Sequence, residues 1–222
     1  MPIDVERERA ALDWYEQRRD EFLSALELAH RTERPDQVIE LATSFAPFLT
    51  RRSYWDEGEQ VMQWAVLAAN RLGDARSYAR MLDGLGTIHR LQSRWGEAAA
   101  EFSQALERFR EIGDPTDEAR TLSNLGLVLR KRGEAQPAQE AFLASVELWR
   151  QLEPSEEQRF GLARSLNNLG MSLRDAGGYA DARRLFMEAL ELRKAIGDAE
   201  GVSRTLSNLG QLALRERRRE RG

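Results

Sequence analysis

Several residue types that support common kinds of protein chemistry are absent or scarce in this sequence. Its 222 residues include no cysteine, two histidines and two lysines. The absence of cysteine excludes disulfides, thiolate zinc sites and a cysteine nucleophile. No apolar run approaches the roughly 20 residues that a membrane-spanning helix needs, and residues 1–9 are more charged than a signal peptide. We therefore expect a cytoplasmic protein.

Proline is also scarce, with six residues, and most glycines lie between periodic apolar segments, which predicts a nearly all-helical chain. The net charge of −4 argues against general nucleic-acid binding. His89 takes a position that Leu129 and Leu173 fill elsewhere, so we expect a core residue and not a metal ligand. No nucleophile has an adjacent base, so we expect no enzyme activity, no cofactor and no metal.

Four near-copies of one eight-residue segment dominate the rest of the chain. They end at Gly86, Gly126, Gly170 and Gly210, and the third reads Ala-Arg-Ser-Leu-Asn-Asn-Leu-Gly. After each of the first three glycines an alanine, a phenylalanine and a small residue follow at fixed distances: Ala98, Phe102 and Ala105; Ala138, Phe142 and Ser145; Ala182, Phe186 and Ala189. A period of 40 to 44 residues predicts a solenoid of stacked helix pairs.

Turn residues place the boundaries of these units. Gly-Asp pairs at 73–74, 113–114 and 197–198 should end one helix and cap the next, and Ser155 should cap the helix at the one boundary without such a pair. We predict about ten helices in one array, with a kink or irregularity at Pro47. The predicted parts are one N-terminal helix in 5–34 (continuous over 5–31), a degenerate repeat in 35–72, clear repeats in 75–112, 115–152 and 156–196, and a half repeat or capping helix in 199–222.

This pattern resembles the tetratricopeptide repeat, in the longer subtype of kinesin light chains and Leu-Gly-Asn scaffolds. The resemblance implies an all-α, right-handed superhelix of helix pairs whose first helices line a concave, peptide-binding groove. Residues 12–29 and 46–59 also resemble the start of the repeat region in bacterial STAND signalling ATPases. That second resemblance implies an effector-sensing region, although the sequence has no phosphate-loop motif of the ATPase itself.

Each first helix has two faces, because side chains advance by about 100° per residue. The leucines four and one before the glycine face the core. The opposite face provides the residues that we expect to bind a partner: Arg120, Asn124, Leu127, Lys131, Arg164, Asn168, Met171, Arg204, Asn208 and Gln211. Arginine binds carboxylates and asparagine matches a backbone amide, so we expect an extended, acidic peptide or protein segment. The resemblance implies that the asparagines contact the ligand backbone.

Other interpretations stay open at this point. Arg120 or Arg164 could simply pair with a neighbouring helix, and Arg90, Arg130 and Arg174 fit a solvated face. In the first copy of the segment, Gly84 replaces the asparagine. Self-association could use leucines left exposed on the last helix, namely Leu209, Leu212 and Leu214. The basic residues in 215–221 give the only support for RNA binding, which we do not expect.

Overall fold

The computed structural model describes residues 5–219, with side chains over 9–217. The described residues form eleven α-helices and no strand. The helices are α1 (Val5–Gln17), α2 (Arg19–Arg31), α3 (Pro35–Arg51), α4 (Trp55–Leu72), α5 (Ala75–Leu91), α6 (Trp95–Ile112), α7 (Pro115–Lys131), α8 (Ala135–Gln151), α9 (Glu156–Asp175), α10 (Tyr179–Ala195) and α11 (Ala199–Arg219). The fold is thus the all-α helical repeat that the sequence predicts. None of the described helices is long and apolar enough to cross a membrane.

The prediction of one continuous helix over residues 5–31 is wrong. The chain breaks at Arg18, where φ is −114° and ψ is 14°. The break brings the rings of Tyr15 and Phe22 within 5.2 Å of each other, although seven residues span about 10.5 Å along a continuous helix. Both rings also contact Phe45 of α3, at 5.8 and 5.0 Å between centroids. Packing of these aromatic rings accompanies the break and accounts for the eleventh helix.

The predicted caps are confirmed. Asp74 and Asp114 accept hydrogen bonds from the backbone N–H groups three residues later, at 3.0 and 3.1 Å. Ser155 does the same at 3.0 Å, although the boundary there has a different sequence. Gly113 provides the left-handed backbone that ends α6, with φ of 66°. At Pro47, in contrast, α3 does not end but continues as helix to Arg51.

The contacts divide the described residues into two compact units, 5–113 and 114–219. In the C-terminal unit, each helix from α7 to α11 packs against the next. The first helices of successive repeats also contact each other directly, α7 with α9 and α9 with α11. This arrangement places three first helices side by side within one unit.

Each motif glycine makes room for the phenylalanine of its own repeat. A Cβ atom added to Gly126 would lie 2.6 Å from Cε1 of Phe142, and one added to Gly170 would lie 2.7 Å from the same atom of Phe186. Both phenylalanines are fully buried. Ser145, at the position of a small residue, donates a hydrogen bond to the carbonyl of Ala119 at 2.6 Å. The motif therefore fixes how closely the first and second helices of a pair approach.

Candidate functional site

All ten residues that the sequence predicts to bind a partner lie on α7, α9 and α11 of the C-terminal unit, and they fall into three groups by exposure. Lys131, Arg204 and Gln211 are exposed. Arg120, Leu127, Arg164 and Met171 are half-buried. Asn124, Asn168 and Asn208 are buried. The structure brings the ten onto neighbouring helices, but it leaves only some of them accessible to a ligand.

The asparagines connect the first helices to each other. The Nδ2 group of Asn168 donates a hydrogen bond to Oγ of Ser123 on α7 at 3.0 Å. The same group of Asn208 donates to Oδ1 of Asn167 on α9 at 2.9 Å. At Asn168 and Asn208 the position two before the glycine therefore points at the adjacent first helix, and ligand contact by these asparagines stays a prediction. These hydrogen bonds hold neighbouring repeats in register.

The arginines six residues before each glycine pair mainly within their own helix. Arg120 Nη2 lies 2.6 Å from Oδ1 of the buried Asp117, and its side chain stays 37% exposed. Arg204 Nη2 lies 2.5 Å from Oε1 of Glu200, and its side chain stays 56% exposed. Arg164 donates a long hydrogen bond, 3.5 Å, to the carbonyl of Arg120 on α7. The Arg204–Glu200 pair is exposed on both sides, and because such a surface pair contributes little, the Arg204 guanidinium group remains available to a partner.

The expectation of a solvated face at the position four after the glycine is wrong for Arg174, which is 7% exposed. Its Nη1 donates to Oε1 of Gln211 on α11 at 3.0 Å, and its Nη2 lies 3.1 Å from Asp175. Arg130 and Arg215 also pair with Asp175, at 3.2 and 3.4 Å. One carboxylate therefore joins arginines from all three first helices.

The first helices of the C-terminal unit carry more positive charge than the second helices. Up to Arg217, the last residue with a described side chain, α7, α9 and α11 contain nine Lys and Arg against seven Asp and Glu, a net charge of +2. The ranges of α8 and α10 contain five of each sign, a net charge of zero. Because the whole chain has a net charge of −4, the positive charge is a local feature of these helices.

The N-terminal unit lacks the asparagine of the motif for a packing reason. A Cβ atom added to Gly84 would lie 2.8 Å from Sδ of Met62, which is buried on α4. The space that the asparagine would need is therefore taken by the methionine side chain.

A polar cluster in the N-terminal unit was missed by the sequence reasoning. His89 is confirmed as a core residue, 3% exposed, and its Nδ1 lies 2.7 Å from Oε2 of Glu101 on α6. Its Nε2 lies 3.2 Å from Oε1 of Glu59 on α4, close enough for charge attraction but not aligned for a hydrogen bond. Arg94 also pairs with Glu59, at 2.5 Å. The cluster ties α4, α5 and α6 together.

Burial and hydrogen bonding shift the two carboxyl groups in opposite directions. Burial raises the pKa of Glu101, and the hydrogen bond with His89 offsets only part of that effect. Burial also acts to raise the pKa of Glu59, but the nearby His89 ring and hydrogen bonds from Arg94 and Gln92 outweigh it, so this pKa lies below its ordinary value. Among residues 5–219, no group of three or more histidine, aspartate and glutamate side chains is placed to hold a metal ion.

The sequence profile of the tetratricopeptide repeat family matches residues 77–151 and 161–221, which include all four motif glycines. The chain belongs to the tetratricopeptide repeat family. No curated protein matches it. Family and fold together make this tetratricopeptide protein an interaction module with protein or peptide partners. The resemblance to STAND ATPases stays a prediction.

Three solved structures have the same fold as this chain at low sequence identity. BtubC (BKLC) from P. vanneervenii has a TM-score of 0.66 and 16% identity, over 91% of this chain and 92% of its own. The apo quorum sensor NprR from B. thuringiensis has a TM-score of 0.72 and 15% identity, over 96% of this chain and 57% of its own. A Rap protein complexed with Competence and Sporulation Factor has a TM-score of 0.70 and 13% identity, over 83% of this chain and 51% of its own. The tetratricopeptide chain thus spans little more than half the length of NprR and Rap.

Proposed function

We propose that α7, α9 and α11 form a non-catalytic binding face for an extended, acidic peptide or protein segment. The observation that carries this proposal is the positive charge of these three helices, which contain nine basic against seven acidic residues up to Arg217, whereas α8 and α10 contain five of each sign. Lys131 and Arg204 are the exposed cations among the predicted residues. Like-signed side chains on adjacent helices attract a segment of opposite charge and speed its association.

The repeat spacing suits an extended ligand. Neighbouring packed helices lie about 10 Å apart, which is about three residues of extended chain. An acidic residue at every third position of the ligand would then meet Arg120, Arg164 and Arg204, which take the same motif position on the three first helices, while Lys131 lies nearer the other end of α7. Between the cations, the half-buried Leu127 and Met171 offer apolar contacts one residue after their glycines. Gln211, at the same position of α11, is exposed and offers a polar contact.

The asparagines have an indirect role in this proposal. Since Asn168 and Asn208 hydrogen-bond to the preceding first helix, they set the spacing between the cations. Replacing them would disturb packing as well as binding, so they are poor variants for testing the ligand site.

Charge reversal tests the proposed face without disturbing the core. The probe is a labelled nine-residue peptide with glutamate at every third position, measured by fluorescence anisotropy at low and moderate salt. We expect the double variant Lys131→Glu with Arg204→Glu to bind it about tenfold more weakly or worse, because attraction at two positions becomes repulsion. The control is Arg184→Glu with Lys194→Glu, which makes the same charge change at exposed positions of α10.

The control variant should retain binding within about twofold of the unmodified protein, after the general effect of net charge is reduced by salt. Equal losses in both double variants would show that net charge, and not this face, governs binding. A peptide with lysine at the same positions that binds as tightly as the glutamate peptide would also contradict the proposal.

A further inference from the structure

The last first helix, α11, has a face that is covered in the other repeats. In three repeats the motif glycine lies under the phenylalanine of the following second helix, whereas a Cβ atom added to Gly210 would have no atom within 4 Å. Leu206 is 51% exposed, although Leu122 and Leu166 at the same motif position are 5% and 0% exposed. The helical face that normally receives a second helix is therefore open on α11.

The expected group of exposed leucines is corrected by this geometry. Leu212 is fully buried against Phe186 of α10, because the position two after the glycine faces the preceding repeat. Leu209 is half-buried and Leu214 is 60% exposed. The open apolar face consists instead of Val202, Leu206, Leu209, Gly210, Ala213 and Leu214. These residues share one side of the helix at about 100° per residue.

The chain does not turn back over this face within the described residues. The other motif-bearing first helices end five residues after their glycine, at Leu91, Lys131 and Asp175. The helix α11 continues to Arg219, nine residues after Gly210. If a second helix followed Gly210 at the same distance along the chain as in the other repeats, it would have to begin where α11 is still helical. We therefore expect the open face of α11 to be covered by a helix other than the next one in this chain.

Charge indicates what such a helix should look like. Arg217 is exposed and lies on the same side of α11 as the open face, at about 100° per residue. We propose that this face binds an amphipathic helix of another protein, one that carries a phenylalanine between small residues and is acidic on its flanks. The second helices of this chain show the apolar part of that pattern, for example Phe102 between Ala98 and Ala105. The face lies on a different side of α11 from Arg204 and Gln211.

The chain itself provides a probe for this proposal. A synthetic peptide of residues 95–112, the sequence of α6, has the phenylalanine and the small residues and contains four glutamates against two arginines. We expect the full-length protein to bind this peptide, and the Phe102→Ala peptide to bind at least about tenfold more weakly, because the aromatic ring supplies most of the buried contact. Binding is measured by isothermal titration calorimetry and by the gain of helical circular dichroism.

The protein variant Gly210→Leu is the matched test. Its side chain would occupy the place of the incoming ring, and its Cβ atom would have no atom of the protein within 4 Å, so we expect the variant to fold. We expect this variant to bind the peptide at least about tenfold more weakly, while Gly96→Leu, at an exposed glycine of α6 where an added Cβ atom also has no atom within 4 Å, binds it like the unmodified protein. Peptide binding that Gly210→Leu leaves unchanged would overturn the proposal, as would the absence of binding.

Sedimentation velocity separates this proposal from self-association. If the protein remains monomeric over the concentration range of the titration, the result supports a partner helix from another protein. A dimer that dissociates in the Gly210→Leu variant would make a second copy of this chain the occupant and overturn the proposal.

Discussion

Gly126→Leu should lower the free energy of unfolding by about 3 kcal/mol, whereas Gly210→Leu should leave it unchanged or raise it by up to about 1 kcal/mol. Both glycines occupy the same motif position in an α-helix. At Gly126, three atoms of the Phe142 ring lie within 2.9 Å of the place where a Cβ atom would be. At Gly210 the space is open, so only the gain in helix propensity remains.

Urea unfolding followed by far-ultraviolet circular dichroism measures this difference. Gly170→Leu is a second variant at a glycine covered by a phenylalanine, since its Cβ atom would lie 2.7 Å from the ring of Phe186. It should therefore behave like Gly126→Leu. Equal shifts of the transition midpoint in Gly126→Leu and Gly210→Leu would mean that the glycine–phenylalanine contact does not set the helix packing.

His89→Leu should lower the free energy of unfolding by about 2 kcal/mol at neutral pH. Removing His89 leaves the carboxyl group of Glu101 without its hydrogen-bond partner, which costs about 1–3 kcal/mol for a buried group, and the side chains of Glu59 and Glu101 keep 19% and 14% exposure. Adding Glu101→Ala should recover most of the loss. The double variant then has leucine and alanine at these two positions, as the next repeat has with Leu129 and Ala141.

The loss in His89→Leu should also depend on pH. Burial already raises the pKa of Glu101, and without the hydrogen bond from His89 this pKa would rise further. A carboxyl group whose pKa is higher in the folded state contributes stability at low pH, and it loses that contribution as pH rises through the folded-state pKa. The loss in free energy of unfolding of the His89→Leu variant should therefore be smallest near pH 4.5, the ordinary pKa of a glutamate carboxyl group, and should grow toward neutral pH. A deficit that is constant with pH would show that lost packing, and not an uncompensated carboxylate, is its cause.

The repeat architecture could be predicted because glycine, aspartate and proline act locally. Gly113 and Asp114 end one helix and cap the next with their own backbone and side-chain atoms, so two residues suffice to place the boundary. The break at Arg18 could not be predicted in this way. It accompanies contacts with Phe45, 27 residues further along the chain, and Arg18 is not a residue that marks a helix end.

The candidate site was predictable only in part, because its side chains face two different neighbours. Helical periodicity places Lys131, Asn168 and Arg204 on the side away from their own second helix. It does not reveal that the adjacent first helix covers Asn168 while it leaves the two cations exposed. The cluster around His89 had a sequence signal, because two polar residues replace Leu129 and Ala141 at contacting positions. That signal becomes clear only when the two positions are known to touch.

The most direct test of the proposed binding face is a map of the residues that respond to the acidic nine-residue peptide. Backbone amide shifts of the isotope-labelled protein, followed by NMR during titration, provide this map. We predict that the largest changes lie on α7, α9 and α11 around Lys131, Arg164 and Arg204, with α8 and α10 nearly unaffected. Changes centred on α8 and α10, or spread evenly over the chain, would contradict the central claim that the first helices of the C-terminal unit bind the partner.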